Sequence, residues 1–285
     1  MRLNKNLASL NIYKNYNDVL VKNGSALNRI STGVKINSSK DNPSKIGLSE
    51  GLRLQLRSLE VAERNVQDGV SMLQTFDGVL GTVNETLDRI RELTVKSGGV
   101  TSEDDLNIIQ NEINQLNEHI DTTVNNAEFN QVKLLNSDKV LDNDNPNFLR
   151  HTIGTADDEE VKIPIFNIKS SMLKDSDENS LSEIDVTDKD NIDKNLKTID
   201  ESINTVNSIR SKYGAIQNRL ETASLNLNSS SINLQKSESR ITDADIALEM
   251  AEYARTSLLT ETSLALMQQS NNFPKDVLKV LENMK

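Results

Sequence analysis

Apolar residues recur at both ends of this chain in the three- and four-residue steps of helices that bury one face, and lose that period in the middle. Near the N-terminus Leu3, Leu7, Leu10, Tyr13, Leu20, Leu27 and Ile30 form one stripe. Toward the C-terminus Ile192, Leu196, Ile199, Ile203 and Val206 form another, which slips one position and resumes at Ile209, Tyr213, Ile216, Leu220, Ala223 and Leu227. Two helical seams flanking an acidic, turn-rich centre predict a chain that folds back and pairs its own ends.

The first helix is predicted over 4–32, broken by Gly33 and the polar cluster that follows it through Ser44. Pro43 with Ser44 after it reads as the entry to a second helix, roughly 44–97, with Leu48, Leu52, Leu56, Leu59, Ala62, Val66, Val70, Leu73, Leu80, Val83, Leu87 and Ile90 on its seam. Gly98 and Gly99 should end it. Thr101 or Ser102 should cap a third helix, where Glu103, Asp104 and Asp105 favour the positive end of the dipole and Leu106, Ile109, Ile113, Leu116, Ile120 and Val124 supply the seam. A fourth helix over about 190–235 is the natural antiparallel partner of the second. A fifth should begin near Asp243 and stop before Phe273-Pro274, leaving a short tail. Between the third and fourth, the segments Phe129–Leu135, Phe148–Ile153 and Val161–Ile168 alternate with period two and predict short strands, with Pro164 marking an edge. The expected fold is therefore mainly α: a long antiparallel helical rod or coiled coil with paired N- and C-terminal helices and a small β-hairpin region in the middle. Its expected parts are terminal helices at 1–43 plus 236–285, a helical rod at 44–136 plus 190–235, and a hairpin and acidic loop at 137–189 belonging to the rod.

Composition agrees with an elongated helical body. Hydrophobic residues are 35% of the 285, aromatics 3% with no Trp, and only four prolines interrupt the chain. Cysteine is absent, which excludes disulfides, thiolate metal sites and a cysteine nucleophile. The net charge of −11 is uneven: residues 1–60 hold ten Lys and Arg against four Asp and Glu, while 137–190 hold fourteen acidic and six basic residues. No aromatic and basic residues interleave as base-stacking platforms require, so nucleic acid is not an expected partner. No apolar run is long enough for a membrane span, and Asn and Lys interrupt the start of the chain where a secretory signal would be apolar.

Several stretches together resemble bacterial flagellin. They are Leu27-Asn28-Arg29-Ile30-Ser31-Thr32-Gly33-Val34-Lys35-Ile36-Asn37-Ser38 with Lys40-Asp41, then Arg64-Asn65-Val66-Gln67-Asp68-Gly69-Val70-Ser71, and Arg89-Ile90-Arg91-Glu92-Leu93-Thr94-Val95. Glu128-Phe129-Asn130-Gln131 follows, with Gln where the family usually has Gly. At the far end come Ser239-Arg240-Ile241-Thr242-Asp243-Ala244-Asp245, Ala265-Leu266-Met267-Gln268-Gln269-Ser270-Asn271 and Phe273 to Leu281. The resemblance covers about 1–136 and 190–285 and leaves little room for an outer variable domain. It implies a secreted, non-enzymatic subunit that self-polymerises into the extracellular bacterial flagellum filament for swimming motility, exported unfolded by the flagellar type III apparatus. A hook–filament junction protein and a minor flagellin paralogue are the alternatives.

The same resemblance implies partners and sites. Copies of the chain would pack through Leu3, Leu7, Leu10, Leu27, Ile30, Leu266, Val277, Leu278 and Leu281. An export chaperone, which shares the pathway with the export gate, would grip Leu258, Leu259, Leu264 and Met267, a surface that assembly later buries. The filament cap and the hook–filament junction protein would be further partners. Leu87, Arg89, Glu92 and Glu112 match a patch that many flagellins present to the vertebrate Toll-like flagellin receptor; ordinary solvated charges or filament contacts are the other reading of these positions. No cofactor and no metal are expected. His119 and His151 do not begin the two-His, one-Glu helix motif of a zinc protease, and no Gly-rich phosphate loop is present.

Overall fold

The computed structural model describes residues 6–99, 102–136, 146–154 and 159–282. In chain order these form α1 (Leu7–Thr32), α2 (Pro43–Ser97), α3 (Glu103–Asn126), β1 (Asn147–Thr152), β2 (Glu160–Ile165), α4 (Ile192–Thr242) and α5 (Ile246–Glu282). The chain divides into two compact units, one from residues 57–231 and one from the two ends, 1–56 with 232–285.

Within 57–231 the predicted seams become a core. Val66, Leu73, Leu80, Val83, Leu87 and Ile90 of α2 are fully or almost fully buried with Ile113, Ile120 and Val124 of α3 and Ile199, Val206, Tyr213 and Leu220 of α4. Arg210 to Asp77 at 2.9 Å, Asn84 to Asn207 at 3.3 Å and Arg91 to Asp200 at 2.7 Å show α2 and α4 running antiparallel. α2 begins at Pro43 because Asn42 caps it, its Oδ1 accepting the Lys45 N–H at 3.1 Å, and it stops at Ser97 where Gly98 and Gly99 turn away. Ser102 stands at the N-cap of α3 but makes no side-chain capping bond.

The centre differs from the sequence reading in two ways. Among the described residues only β1 and β2 form a sheet, an antiparallel pair in which Phe148 faces Pro164 and His151 faces Val161. Phe129–Leu135 is no strand: Asn130 and Gln131 have φ of 47° and 66°, so the chain turns on itself and Phe129 pairs with Val132. The period-two pattern there belongs to a tight turn followed by Leu134 and Leu135, which are buried and whose carbonyls accept the N–H groups of Phe166 and Ile168.

Second, the segment after β2, expected only as part of a hairpin and acidic loop region, supplies buried residues to the core. Phe166, Ile168, Leu173, Leu181, Ile184 and Val186 are all buried, and polar side chains of α3 hold the backbone around them. Gln110 donates to Ile184 O and accepts from Val186 N–H, Asn117 donates to Leu181 O, and Asp121 accepts from the N–H and hydroxyl of Ser170. Apolar residues in irregular backbone carry no period, which is why sequence patterning passes over them. Tyr213 closes this layer. Its hydroxyl donates to Pro164 O at 3.0 Å, its ring lies 5.8 Å from Phe166, and burial pushes its phenol well above the ordinary range.

α5 also departs from expectation. It continues through Phe273 and Pro274 to Glu282 instead of stopping before them. A proline inside a helix removes one N–H and leaves the carbonyl four residues earlier without its helical donor. Here that carbonyl, Ser270 O, accepts from Asn6 Nδ2 at 2.8 Å.

Candidate assembly surface

In the unit built from the two ends, α1 packs antiparallel on α5. Three polar contacts fix the register: Asn6 to Ser270, Asn23 Nδ2 to Thr256 Oγ1 at 3.0 Å, and Arg29 to Glu249 at 3.2 Å. Asn6 serves both helices at once, because its Oδ1 accepts the Ser9 N–H and caps α1 while its Nδ2 serves Ser270. Glu249 is buried and Arg29 partly so, which makes this pair less screened than a surface ion pair.

The side of α1 turned toward α5 carries Ile12, Tyr16, Val19, Asn23, Ala26 and Ile30, the less exposed positions of the helix. The corresponding positions of α5 are Tyr253, Thr256, Thr260, Ser263, Met267, Ser270 and Val277. Five of the residues read from sequence as the packing stripe lie elsewhere. Leu7, Leu10, Tyr13, Leu20 and Leu27 are between 47% and 67% exposed. α5 likewise exposes Leu248, Met250, Leu258, Leu259, Leu264, Leu266, Phe273 and Leu278. Leucines thus mostly face outward while β-branched, aromatic, small and polar residues face the intramolecular partner, so each helix has two surfaces to cover. Ile30, Met267 and Val277 are the exceptions among the named positions, being half-buried in the pair. Leu3 and the side chain of Leu281 lie outside the described residues.

The motif residues at the two linkers have specific local tasks. Gly33 takes the left-handed conformation, φ 70°, that ends α1, with its N–H on Arg29 O at 2.8 Å. Lys35 N–H then donates to Thr242 O at 2.6 Å and Ala244 N–H to Gly33 O at 3.0 Å, clipping the α1–α2 linker to the α4–α5 linker. Hydrogen bonds from the Ser38 and Asn37 N–H groups hold the Asp41 carboxyl below the usual carboxylate range. Ser239 and Thr242 hydroxyls hold Asp243, and Asp245 caps α5 by accepting from Ala247 and Leu248 N–H. Arg53 reaches Glu238 at 2.7 Å beside this clip.

Of the four positions matched to a receptor patch, Leu87 is wholly buried. It stands in the core of α2 and can offer no side chain to a partner while the helices hold. Arg89, Glu92 and Glu112 do meet at the surface, with Arg89 2.8 Å from Glu112 and 3.2 Å from Glu92, and those hydrogen bonds raise the guanidinium's affinity for its proton.

Of the two histidines, His151 has a structural partner. His151 lies on β1 with Nε2 2.6 Å from Asn65 O, over Gly69 of α2, where a Cβ would come within 2.7 Å of the imidazole. His119 is exposed on α3. Among the described residues no three His, Asp or Glu side chains are grouped to hold a metal ion, and no helix is long and apolar enough to cross a membrane.

Comparison with known proteins puts these features in a family. Residues 3–139 match the bacterial flagellin N-terminal helical region and residues 196–281 match the bacterial flagellin C-terminal helical region. A flagellin of Bacillus subtilis is 36% identical over 303 residues, covering 99% of this chain and 100% of the relative. A flagellin of Halalkalibacterium halodurans is 36% identical over 282 residues with the same coverage of each. A solved structure described as a flagellar hook-associated protein of Vibrio parahaemolyticus superposes with a TM-score of 0.63 at 15% identity, covering 71% of this chain and 100% of that one, a likeness of fold alone.

Proposed function

The chain belongs to the bacterial flagellin family, and from that membership we propose that its work is to polymerise with copies of itself into the extracellular flagellar filament. The observation that carries this reading is the outward apolar surface of the terminal pair. α1 and α5 are already joined to each other, yet Leu7, Leu10, Leu27, Leu266 and Leu278 remain about half or more exposed. Burying such side chains against neighbours is favourable by roughly 1.5–3 kcal/mol each, and a helical array of copies would cover them on every subunit. The packing set therefore comprises Leu3, Leu7, Leu10, Leu27, Leu266, Leu278 and Leu281 between subunits, with Ile30 and Val277 supporting the pair from within.

Before assembly the same surface needs cover. Leu258, Leu259 and Leu264 suit a helix-in-groove contact with an export chaperone, joined by Met267 when α1 is undocked from α5, and are released when the chain passes unfolded through the export gate to the growing end beneath the cap. Chaperone and filament then use one surface in succession. At the opposite pole of the proposal, Arg89, Glu92 and Glu112 form the exposed part of the patch for a Toll-like receptor, with Arg89 as the anchor that a planar, multidentate donor suits. Full-length likeness to relatives named flagellin favours a filament subunit over a junction protein.

The test is electron microscopy of the purified chain concentrated with a sulfate salt, which strengthens apolar burial. Long uniform filaments are expected. Monomers that bind only to the end of a preformed hook would replace this reading with a junction role.

A further inference from the structure

We infer that Asn23-Gly24 is a self-modification site, silenced while α1 is docked on α5 and active when it is not, so that undocked subunits lose their competence to assemble. The last clause rests on the proposed filament function; the chemistry does not. Asn23-Gly24 is the one Asn-Gly pair in the sequence. In that dipeptide no side chain on the second residue shields its backbone nitrogen. The Gly24 nitrogen can therefore attack Asn23 Cγ, forming a C–N bond and losing its proton as the Cγ–Nδ2 bond breaks and ammonia leaves. Water then opens the five-membered imide at either carbonyl, giving Asp or isoaspartate at position 23.

Two features of the fold oppose the attack. Both residues lie well inside α1, where helical geometry and the i to i−4 hydrogen-bond pattern restrain the Gly24 N–H. The leaving group is also engaged, because Asn23 Nδ2 donates to Thr256 Oγ1 at 3.0 Å and to Tyr253 O at 3.4 Å. Reaction requires that this part of α1 open, and opening is suppressed only while α5 holds it.

The product would undo that docking. Thr256 Oγ1 already donates to Glu252 O and Tyr253 O, so at this point α5 presents oxygen acceptors to Asn23. A carboxylate in place of the amide loses the donor and sets negative charge against those oxygens. Isoaspartate in addition inserts a methylene into the helix backbone. Packing does not explain the glycine: a Cβ at Gly24 would meet nothing within 4 Å, and its φ is not positive. Alanine would fit there and would block the reaction by crowding the nitrogen.

The experiment follows the full-length chain by mass spectrometry of the tryptic peptide Asn23–Arg29 during incubation in mildly alkaline buffer, with and without strong urea. Exchange of the amide for a carboxyl should proceed in urea and run about tenfold slower or less in the folded chain. Gly24→Ala should suppress it in urea as well. The Asn23→Asp variant should keep the helical signal of residues 57–231 and fail to polymerise under conditions where the wild type forms filaments. Equal rates with and without urea, or an unaffected Gly24→Ala, would overturn the silencing. Normal filaments from Asn23→Asp would overturn the consequence. If the wild type itself forms no filaments, the filament reading fails while the peptide masses still decide the chemistry.

Discussion

Gln131 sits at φ 66°, in the left-handed region that costs a residue with a Cβ about 1–2 kcal/mol. The turn it makes brings Phe129 to Val132 and aims Leu134 and Leu135 into the core. Gln131→Gly should relieve the strain, less the greater freedom of glycine in the unfolded chain, and so raise stability by about 0.5–1 kcal/mol in urea denaturation. Asp175 shows the opposite economy of a satisfied residue. Burial pushes its carboxyl up, but Asn179, Thr198 and the Asp177 N–H donate to it and bring it down to about 2 from an ordinary 3.8. Because the folded value lies below the unfolded one, its contribution is full above about pH 4 and is lost as pH falls toward 2. Asp175→Asn should cost on the order of 2 kcal/mol at neutral pH, and the difference from wild type should shrink across that acid window. Of these residues, Gln131 stands out in the sequence because the resemblance to flagellin leads one to expect Gly there. Nothing in the sequence around Asp175 announces that a carboxylate among so many acidic neighbours is buried and fully partnered.

Helices were legible as elements and less so as surfaces. Period and local breakers locate α1, α2, α3 and the start of α4 closely, because Asn42, Pro43, Gly33 and Gly98 act locally, whereas α4 continues past the expected 235 to Thr242. Periodicity identifies a face but not its partner. On α1 the strongest stripe, Leu7, Leu10 and Leu27, points away from α5, and the weaker one with Asn23 and Ala26 makes the intramolecular pair. The end of α5 is hidden from the sequence for a comparable reason: a proline inside a helix costs less when its orphaned carbonyl finds another donor, and Asn6 is remote in sequence. Asn6→Ala should therefore remove a cap on α1 and the partner of Ser270 together, weakening the pair by about 1–2 kcal/mol. Hydrogen exchange on both helices reads this, and an effect confined to α1 would contradict the double role. Gly24→Ala should stabilise α1 by about 0.5–1 kcal/mol in the same measurement, since the position is helical and open.

The whole molecule combines a unit with its own core and a unit that is only half covered. Residues 57–231 bury most of their large aliphatic side chains among themselves, with Phe76, Phe166 and Tyr213 at 0–1% exposure. The terminal unit buries little that is large and displays the rest, so its completion depends on other copies and on concentration. Charge is also uneven along the sequence, +6 over residues 1–60 against −17 over residues 61–285, which favours contacts between unlike regions of neighbouring subunits. Assembly should accordingly weaken when one outward leucine is charged, while the core of residues 57–231 stays intact. The most direct measurement is electron microscopy of Leu278→Asp beside wild type under identical sulfate concentrations, with circular dichroism on both. The account predicts filaments from wild type, none from the variant, and closely similar helical signals. Normal filaments from Leu278→Asp would contradict the claim that the outward face of the terminal pair drives assembly.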